Sequence, residues 1–412
     1  MAGGPQASVP DRSRYVTLIK SRQTSGSSPP SEPADAGPSP KAGQTGEPGK
    51  AGKAERPARS GRPAADGGRT GFMLRTAGLL GAAGLLLLVL ALSIAAAGLL
   101  LLVLALSIAV GAKQLSLSEV LQGLTDPASP SYSVVHEMRL PRTVLGLLAG
   151  AALGLAGGVM QALTRNPLAD PGLLGINGGA AAAVVTAISF FGVSGYTGYI
   201  GFAFAGAAAV SVAVYAVGGG RGATPARLAL AGTALNAALI SYVSAVQLLD
   251  TASLDRMRFW TVGSLARAQD DINIKALPFV LAGVLLALAL ARPLNALALG
   301  DEAARALGSR PELTRGVAIL AVTLLCGAAT AACGPIVFVG LMVPHMVRSL
   351  TGPDLRWMLT YCVLLAPVLM LGADVLGRVL GRPGELQVGI VTVVLGGPFF
   401  LYFVRRRRVA QA

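Results

Sequence analysis

Residues Arg139–Ala180 read RLPRTVLGLLAGAALGLAGGVMQALTRNPLADPGLLGINGGA. Arg142 and Arg165 bracket Thr143–Thr164, a stretch without Asp, Glu, Lys or Arg. A helix needs about 20 apolar residues to cross a hydrocarbon core roughly 30 Å thick, so this stretch has the length of one transmembrane helix. Gly146, Gly150, Gly154 and Gly158 recur at every fourth position, on one helical face. With no side chains there, a neighbouring helix can approach closely. That places the segment inside a helical bundle and not against lipid. Pro141, Pro167 and Pro171 make rigid corners at its two ends, because proline ends or redirects a helix.

The rest of the chain continues the pattern. Hydrophobic residues make up 53% of the sequence and charged residues only 13%, whereas a soluble domain is about a quarter charged. Apolar blocks of spanning length recur from Ala77 to the end. The net charge of +14 raises nucleic acid as a partner, since basic patches bind phosphate. Lys and Arg, however, sit in an N-terminal tail and in short loops between apolar blocks, which is the positive-inside bias of membrane proteins. No nucleic-acid partner is expected. Cys326, Cys333 and Cys362 lie in or beside apolar blocks without CxxC spacing and read as packing residues. Two distant histidines make no metal site. No nucleophile, acid and base converge as an enzyme would require, so no catalytic residue, metal or cofactor is assigned.

Residues 1–72 form a region apart. Gln23–Arg69 is dense in Pro, Gly, Ser, Ala, Lys and Glu and lacks large apolar residues, so it reads as a disordered tail. Residues 1–75 carry twelve Lys and Arg against six acids, which expects a cytoplasmic tail near anionic membrane lipid. Residues 73–408 are the transmembrane domain. Its first block is unusual: Gly84–Ala95 reads GLLLLVLALSIA and Gly98–Ala109 repeats it letter for letter. The uncharged run Ala77–Ala112 would be about 54 Å long as a helix. Ala95-Ala96-Ala97-Gly98 is a poor polar turn, so one long span is expected, not a hairpin.

The remaining spans alternate by charge. They are expected near 143–164, 172–191, 199–217, 228–249, 274–291, a pair flanking Gly334-Pro335 and ending near Arg348, 357–375 and 388–404. A short helix is expected within Asp250–Asn273. Outside the tail, this arrangement puts thirteen Lys and Arg on the cytoplasmic side and nine on the other. With the Arg405–Arg408 cluster, it gives an all-α polytopic membrane protein of about ten transmembrane helices with both termini cytoplasmic.

The motifs Arg139–Ala180, LALAGTALN (Leu228–Asn236), FWTVGSL (Phe259–Leu265), LALGDEAARALG (Leu297–Gly308), GPIVFVGLMVPHMVR (Gly334–Arg348), GADVLGR (Gly372–Arg378) and ELQVGIVTVVLGGPFFLY (Glu385–Tyr402) together resemble the FecCD family. This family comprises the permeases of ABC importers for iron siderophores, haem and cobalamin. The resemblance covers about residues 77–404 in order. It implies a permease fold of the cobalamin and siderophore type in a bacterial cell membrane. The implied assembly has a second permease subunit (identical or related), a cytoplasmic ABC ATPase dimer, and an extracytoplasmic substrate-binding lipoprotein or periplasmic protein. The chain has no GxxxxGK[ST] phosphate loop, so ATP hydrolysis falls to a partner chain. A ferric siderophore or related iron chelate is the expected substrate, with haem or cobalamin as the alternative.

The resemblance also assigns residues. Arg139, Arg142 and Arg378 match outer-face arginines that pair with carboxylates of the binding protein. Guanidinium forks suit that contact, and interfacial snorkelling would also account for them. Asp301, Glu302, Arg305 and Gly308 fall in the loop resembling the ATPase-coupling helices. Acids there complement a helix N-terminus, and Arg305 is placed to pair with Asp301 or Glu302. An ordinary solvated loop would carry the same charges. Asp374 is expected inside a span as a structural acid, with Arg378 four residues on as its partner. Asn236, Ser241, Ser244 and Gln247 are candidates for the translocation pathway, or equally for hydrogen bonds between helices. An ion-coupled secondary transporter would need acids or histidines at mid-span, in which the chain is poor.

Overall fold

A computed structural model of the chain describes residues 67–193, 195–222 and 224–409, and every regular element among them is helical. Residues Arg69–Ala412 fall in one compact unit. The tail reading concerns residues that lie, up to residue 66, outside the described ones.

Helix α1 spans Gly67–Ala109, 43 residues or about 65 Å at 1.5 Å per residue. Both copies of the repeat lie in this one helix, with no turn between them. Among the described residues of this helix most apolar side chains are exposed, including Leu86, Leu90, Ile94 and Leu101, while Ala96 and Val103 are buried. The repeat period of 14 residues is close to four helical turns. Ser93 and Ser107, at the same place in each copy, therefore face one side. Ser93 Oγ lies 2.8 Å from the Tyr361 hydroxyl and Ser107 Oγ 2.7 Å from Thr143 Oγ1.

After α2 (Leu117–Thr125), begun by a Ser116/Glu119 capping box, a π-helical turn Val134–Arg139 leads into α3 (Leu140–Thr164). Helix α3 is nearly all buried, and its glycines explain how. A methyl group added at Gly150 would lie 2.6 Å from Pro367 Cα, and one at Gly158 would lie 2.8 Å from Leu359 Cδ2; Gly146 and Gly154 press on Leu371 and Ala366. All four contacts fall on α13 (Leu355–Leu380). Gly157 meets the backbone of Gly340 in α12 (Val339–Thr351).

The other elements are α4 (Ile176–Phe191), α5 (Tyr196–Val217), α6 (Pro225–Leu249), α7 (Thr251–Thr261), α8 (Asp270–Ala289), α9 (Ala291–Ala298), α10 (Asp301–Ala306), α11 (Pro311–Cys333) and α14 (Val388–Val409). Helix α7 is the short helix expected after Asp250. The span expected over 274–291 is α8; helix α9 was not foreseen, because the residues after it, expected as a loop, turn at Leu290 and form a separate amphipathic helix. Among the described residues, seven helical stretches are long and apolar enough to cross a membrane, and α4 and Val388–Tyr402 of α14 are shorter apolar helices. Helix α12, at 13 residues, is only about 20 Å long. It is preceded by an irregular segment in which Phe338 takes the left-handed conformation, φ 69°. Within α12, Pro344 has no N–H to offer Gly340 four residues back. Gln161 of α3 supplies a donor instead, with Nε2 at 3.4 Å from Gly340 O and 3.1 Å from Leu341 O.

Candidate functional site

Charged side chains gather at both ends of α3. At the Arg142 end, the organising group is the carboxylate of Asp374, which is fully buried. Arg142 donates to it from Nη2 at 2.8 Å and from Nε at 3.0 and 3.2 Å, and its Nη1 reaches Glu385 Oε2 at 2.7 Å. Arg378, one turn after Asp374 on α13, closes the other side at 3.1 Å. The expected i, i+4 pair is present. Arg142 is the partner missed by sequence reasoning, because nothing local connects residues 232 apart in the chain.

Arg378, with Arg139 and Arg382, also finishes α1. The last carbonyls of a helix have no intrahelical donor and carry the negative end of its dipole. Arg139 Nη1 donates to Ile108 O and Ala109 O at 2.7 and 2.9 Å, and its Nη2 to Lys113 O at 2.8 Å. Arg378 Nη1 donates to Ser107 O and Val110 O at 2.9 and 2.8 Å. Arg382 adds a bond to Gly111 O at 2.8 Å. Arg139, Arg142 and Arg378 are thus 4%, 8% and 2% exposed, with their guanidinium groups engaged internally. They nevertheless line, with Lys113, Met138 and Glu385, a cavity of about 240 Å³.

At the Arg165 end, Asp301 opens α10 directly after Gly300, whose φ is 112°. Its Oδ1 and Oδ2 both lie 2.8 Å from Arg315 Nη2, and Oδ1 lies 3.2 Å from Arg165 Nη2. Arg165 also donates to Leu297 O at 2.6 Å. The hydrogen bond from Arg315, with the nearby charges of Arg315, Arg165 and Arg305, holds the Asp301 carboxyl below its ordinary range despite some desolvation. The pairing expected for Arg305 is corrected. It bonds Glu312 at 2.7 Å and neither Asp301 nor Glu302, because Arg315 and Arg165 already occupy Asp301. Glu302, Arg305 and Gly308 are exposed. Asn295 Nδ2 reaches Asp354 Oδ1 at 2.7 Å, joining α9 to the start of α13.

The four pathway candidates do not share a face. Asn236 packs against Gly178 of α4, and Gln247, about three turns on, points the same way and is half-buried. Ser241 and Ser244 are exposed, and Ser241 Oγ bonds Ala237 O of its own helix at 2.9 Å. The three cysteines are buried and unpaired with one another.

Comparison with known proteins gives a consistent set. The model of the FecCD transport family matches residues 99–406. The ferric enterobactin transport system permease protein FepD of Escherichia coli (strain K12) is 48% identical over 302 residues, 72% of this chain and 90% of that one. The Fe(3+)-citrate import system permease protein YfmD of Bacillus subtilis (strain 168) is 41% identical over 302 residues, 73% and 90% of the two chains. A solved metal-chelate type ABC transporter in an inward-facing conformation superposes with a TM-score of 0.67 and 28% identity, covering 76% of this chain and 97% of that one.

Proposed function

The chain belongs to the FecCD transport family, and from that premise we propose that it is the transmembrane permease subunit of an ABC importer that brings a ferric siderophore or similar iron chelate into a bacterial cell. One observation carries the reading: the similarity to the two iron-chelate permeases runs over 90% of each of their lengths, so it concerns a whole permease and not a shared fragment.

Ten helices serve as spans in this reading. The seven long apolar stretches are joined by α4, α14 and the half-length α12 with its irregular lead-in. Irregular backbone at membrane depth is tolerable where protein buries it, and the contact of Gly340 with Gly157 supports that for α12. Both termini lie in the cytoplasm of a cell membrane, as the basic loops and the Arg405–Arg408 cluster indicate. A second permease subunit completes the pathway, and Ser241 and Ser244, exposed on α6, are its candidate lining. Asn236 and Gln247 serve helix packing. The chain is not itself an enzyme: a separate ATPase dimer hydrolyses ATP and seats on the α9–α10 region, against exposed Glu302, Arg305, Leu307 and Gly308. An extracytoplasmic binding protein docks at the opposite end. There an approaching carboxylate meets the cavity with Lys113, Arg139, Arg142 and Arg378 against Glu385, and Asp374 keeps two of those forks in place.

The test is uptake of radiolabelled ferric siderophore by cells that lack their own permease for it and express this chain with its ATPase and binding protein. Restored uptake that stops when ATP is depleted is the expected result. Entry of haem or cobalamin with no iron chelate would overturn the substrate assignment and leave the importer.

A further inference from the structure

Asp301 lies at the start of the helix proposed to receive the ATPase, yet its carboxylate points back into the permease. Arg315 reaches it from the start of α11 and Arg165 from the end of α3, at 2.8 and 3.2 Å. The Arg315 side chain is only 11% exposed and its Nε has no hydrogen-bond partner among the described residues. Asp301 therefore supplies the counter-charge to a nearly buried cation.

Arg165 is held for this contact by its backbone. It sits just past α3 in the left-handed conformation, φ 51°, a place usually taken by glycine or asparagine. That turn sends the guanidinium across to Leu297 O and Asp301, so the links from α10 converge on α3. Helix α3 in turn is seated without side-chain padding on α13, through Gly150 and Pro367, and on α12, through Gly157 and Gly340. The remaining charged side chains of α10 make no hydrogen bond to Asp301: Glu302 is exposed and Arg305 bonds Glu312.

We infer that Asp301, with Arg165 and Arg315, forms a pin that passes displacement of α10 by the ATPase to α3 and α11. Asp301 and Arg165 are thereby positioning residues for transport, not docking charges. The inference rests on the importer reading. Salt-bridge networks between packed elements carry coupling between distant sites, and this one joins the partner-facing helix to a nearly fully buried helix of the bundle.

The experiment measures ATP hydrolysis and ferric-siderophore uptake on the same proteoliposomes, holding the full chain with its ATPase and binding protein. Intact protein is compared with Asp301→Asn, Asp301→Glu, Arg165→Gln and the Asp301→Asn/Arg165→Gln double variant. The ATP consumed per chelate carried is expected to rise roughly 2- to 30-fold in Asp301→Asn. Arg165→Gln should raise it in the same direction, the double variant should be no worse than Asp301→Asn, and Asp301→Glu should restore it. A merely structural role would lower hydrolysis and uptake together and leave the ratio alone. Unchanged ratios, or effects of the two residues that add, overturn the inference, as does loss of the ATPase from the Asp301→Asn complex, which would make Asp301 a docking residue. If Asp301→Asn does not accumulate in membranes, Arg165→Gln decides: its side chain is 42% exposed and its removal leaves the Arg315–Asp301 pair. An intact chain that transports, with variants of unchanged ratio, sinks the inference alone. An intact complex that hydrolyses ATP but carries no chelate sinks the importer reading with it.

Discussion

Asp374 sits between the guanidinium groups of Arg142 and Arg378 with no exposure of its own. Taking away its charge leaves two buried cations facing one another, and breaking a buried pair in this way costs about 3–5 kcal/mol. Asp374→Asn should therefore lower the thermal unfolding midpoint in detergent sharply. Replacing Asp374 and one partner together, Asp374→Leu with Arg142→Met, should recover part of the loss, since one of the two uncompensated cations goes with it while the Arg378 charge stays. A midpoint for Asp374→Asn equal to that of the intact chain would contradict the assignment. Asp301 makes a pH-dependent prediction. Its folded-state pKa is depressed, so the stabilisation is complete above the ordinary Asp range near 3.9 and is lost as pH falls through the lower folded value. Hydrogen-exchange protection of the segment 299–310 should hold from pH 8 to about pH 5 and fall below about pH 4, whereas Asp301→Asn should already lack it at pH 7. At this scale the sequence exposed only neighbours. Asp374 and Arg378 are one helical turn apart and legible, but Arg142 lies 232 residues from Asp374. The convergence of Arg139 and Arg378 on the α1 carbonyls needs the tertiary fold.

Helices were easier to read than side-chain partners, because their signals are periodic. The four-residue glycine spacing in Arg139–Ala180 identifies a packed face, and that face meets α13 along Leu359, Ala366, Pro367 and Leu371. What the spacing does not say is which helix arrives, since many apolar helices have a compatible surface. The same observation separates two substitutions. At Gly150 an added methyl meets Pro367 backbone, while at Gly98 it meets nothing within 4 Å. Gly150→Ala should reduce the yield and midpoint of folded protein. Gly98→Ala, mid-helix and open, should leave them unchanged or gain about 0.5–1 kcal/mol. Equal behaviour of the two would refute the packing. The repeat in α1 was legible as a redundancy, and the single helix follows from its lack of a turn. Deleting Gly84–Ala97 shortens the helix by about 21 Å and keeps the second copy, whose Ser107 and following carbonyls receive Arg139 and Arg378. The deletion variant should reach the membrane and transport. Failure while Gly98→Ala succeeds would show that the first copy has a role of its own.

At the scale of the molecule, α3 joins two charged ends: one closes α1 and opens onto a basic cavity, the other holds the helix proposed to receive the ATPase. The family and the helical fold were legible because motifs in order along most of the chain leave few alternatives. Helix α9, where a loop was expected, and the π-helical turn before α3 were not, because both depend on packing that no local pattern records. The function proposed for this chain is to move an iron chelate across a membrane, driven by a separate ATPase. The most direct measurement is accumulation of labelled ferric siderophore in proteoliposomes that contain the full chain, its ATPase and its binding protein, with and without ATP. ATP-dependent accumulation that disappears when the ATPase is omitted is the predicted result. Accumulation that proceeds without the ATPase and follows an imposed ion gradient would contradict it.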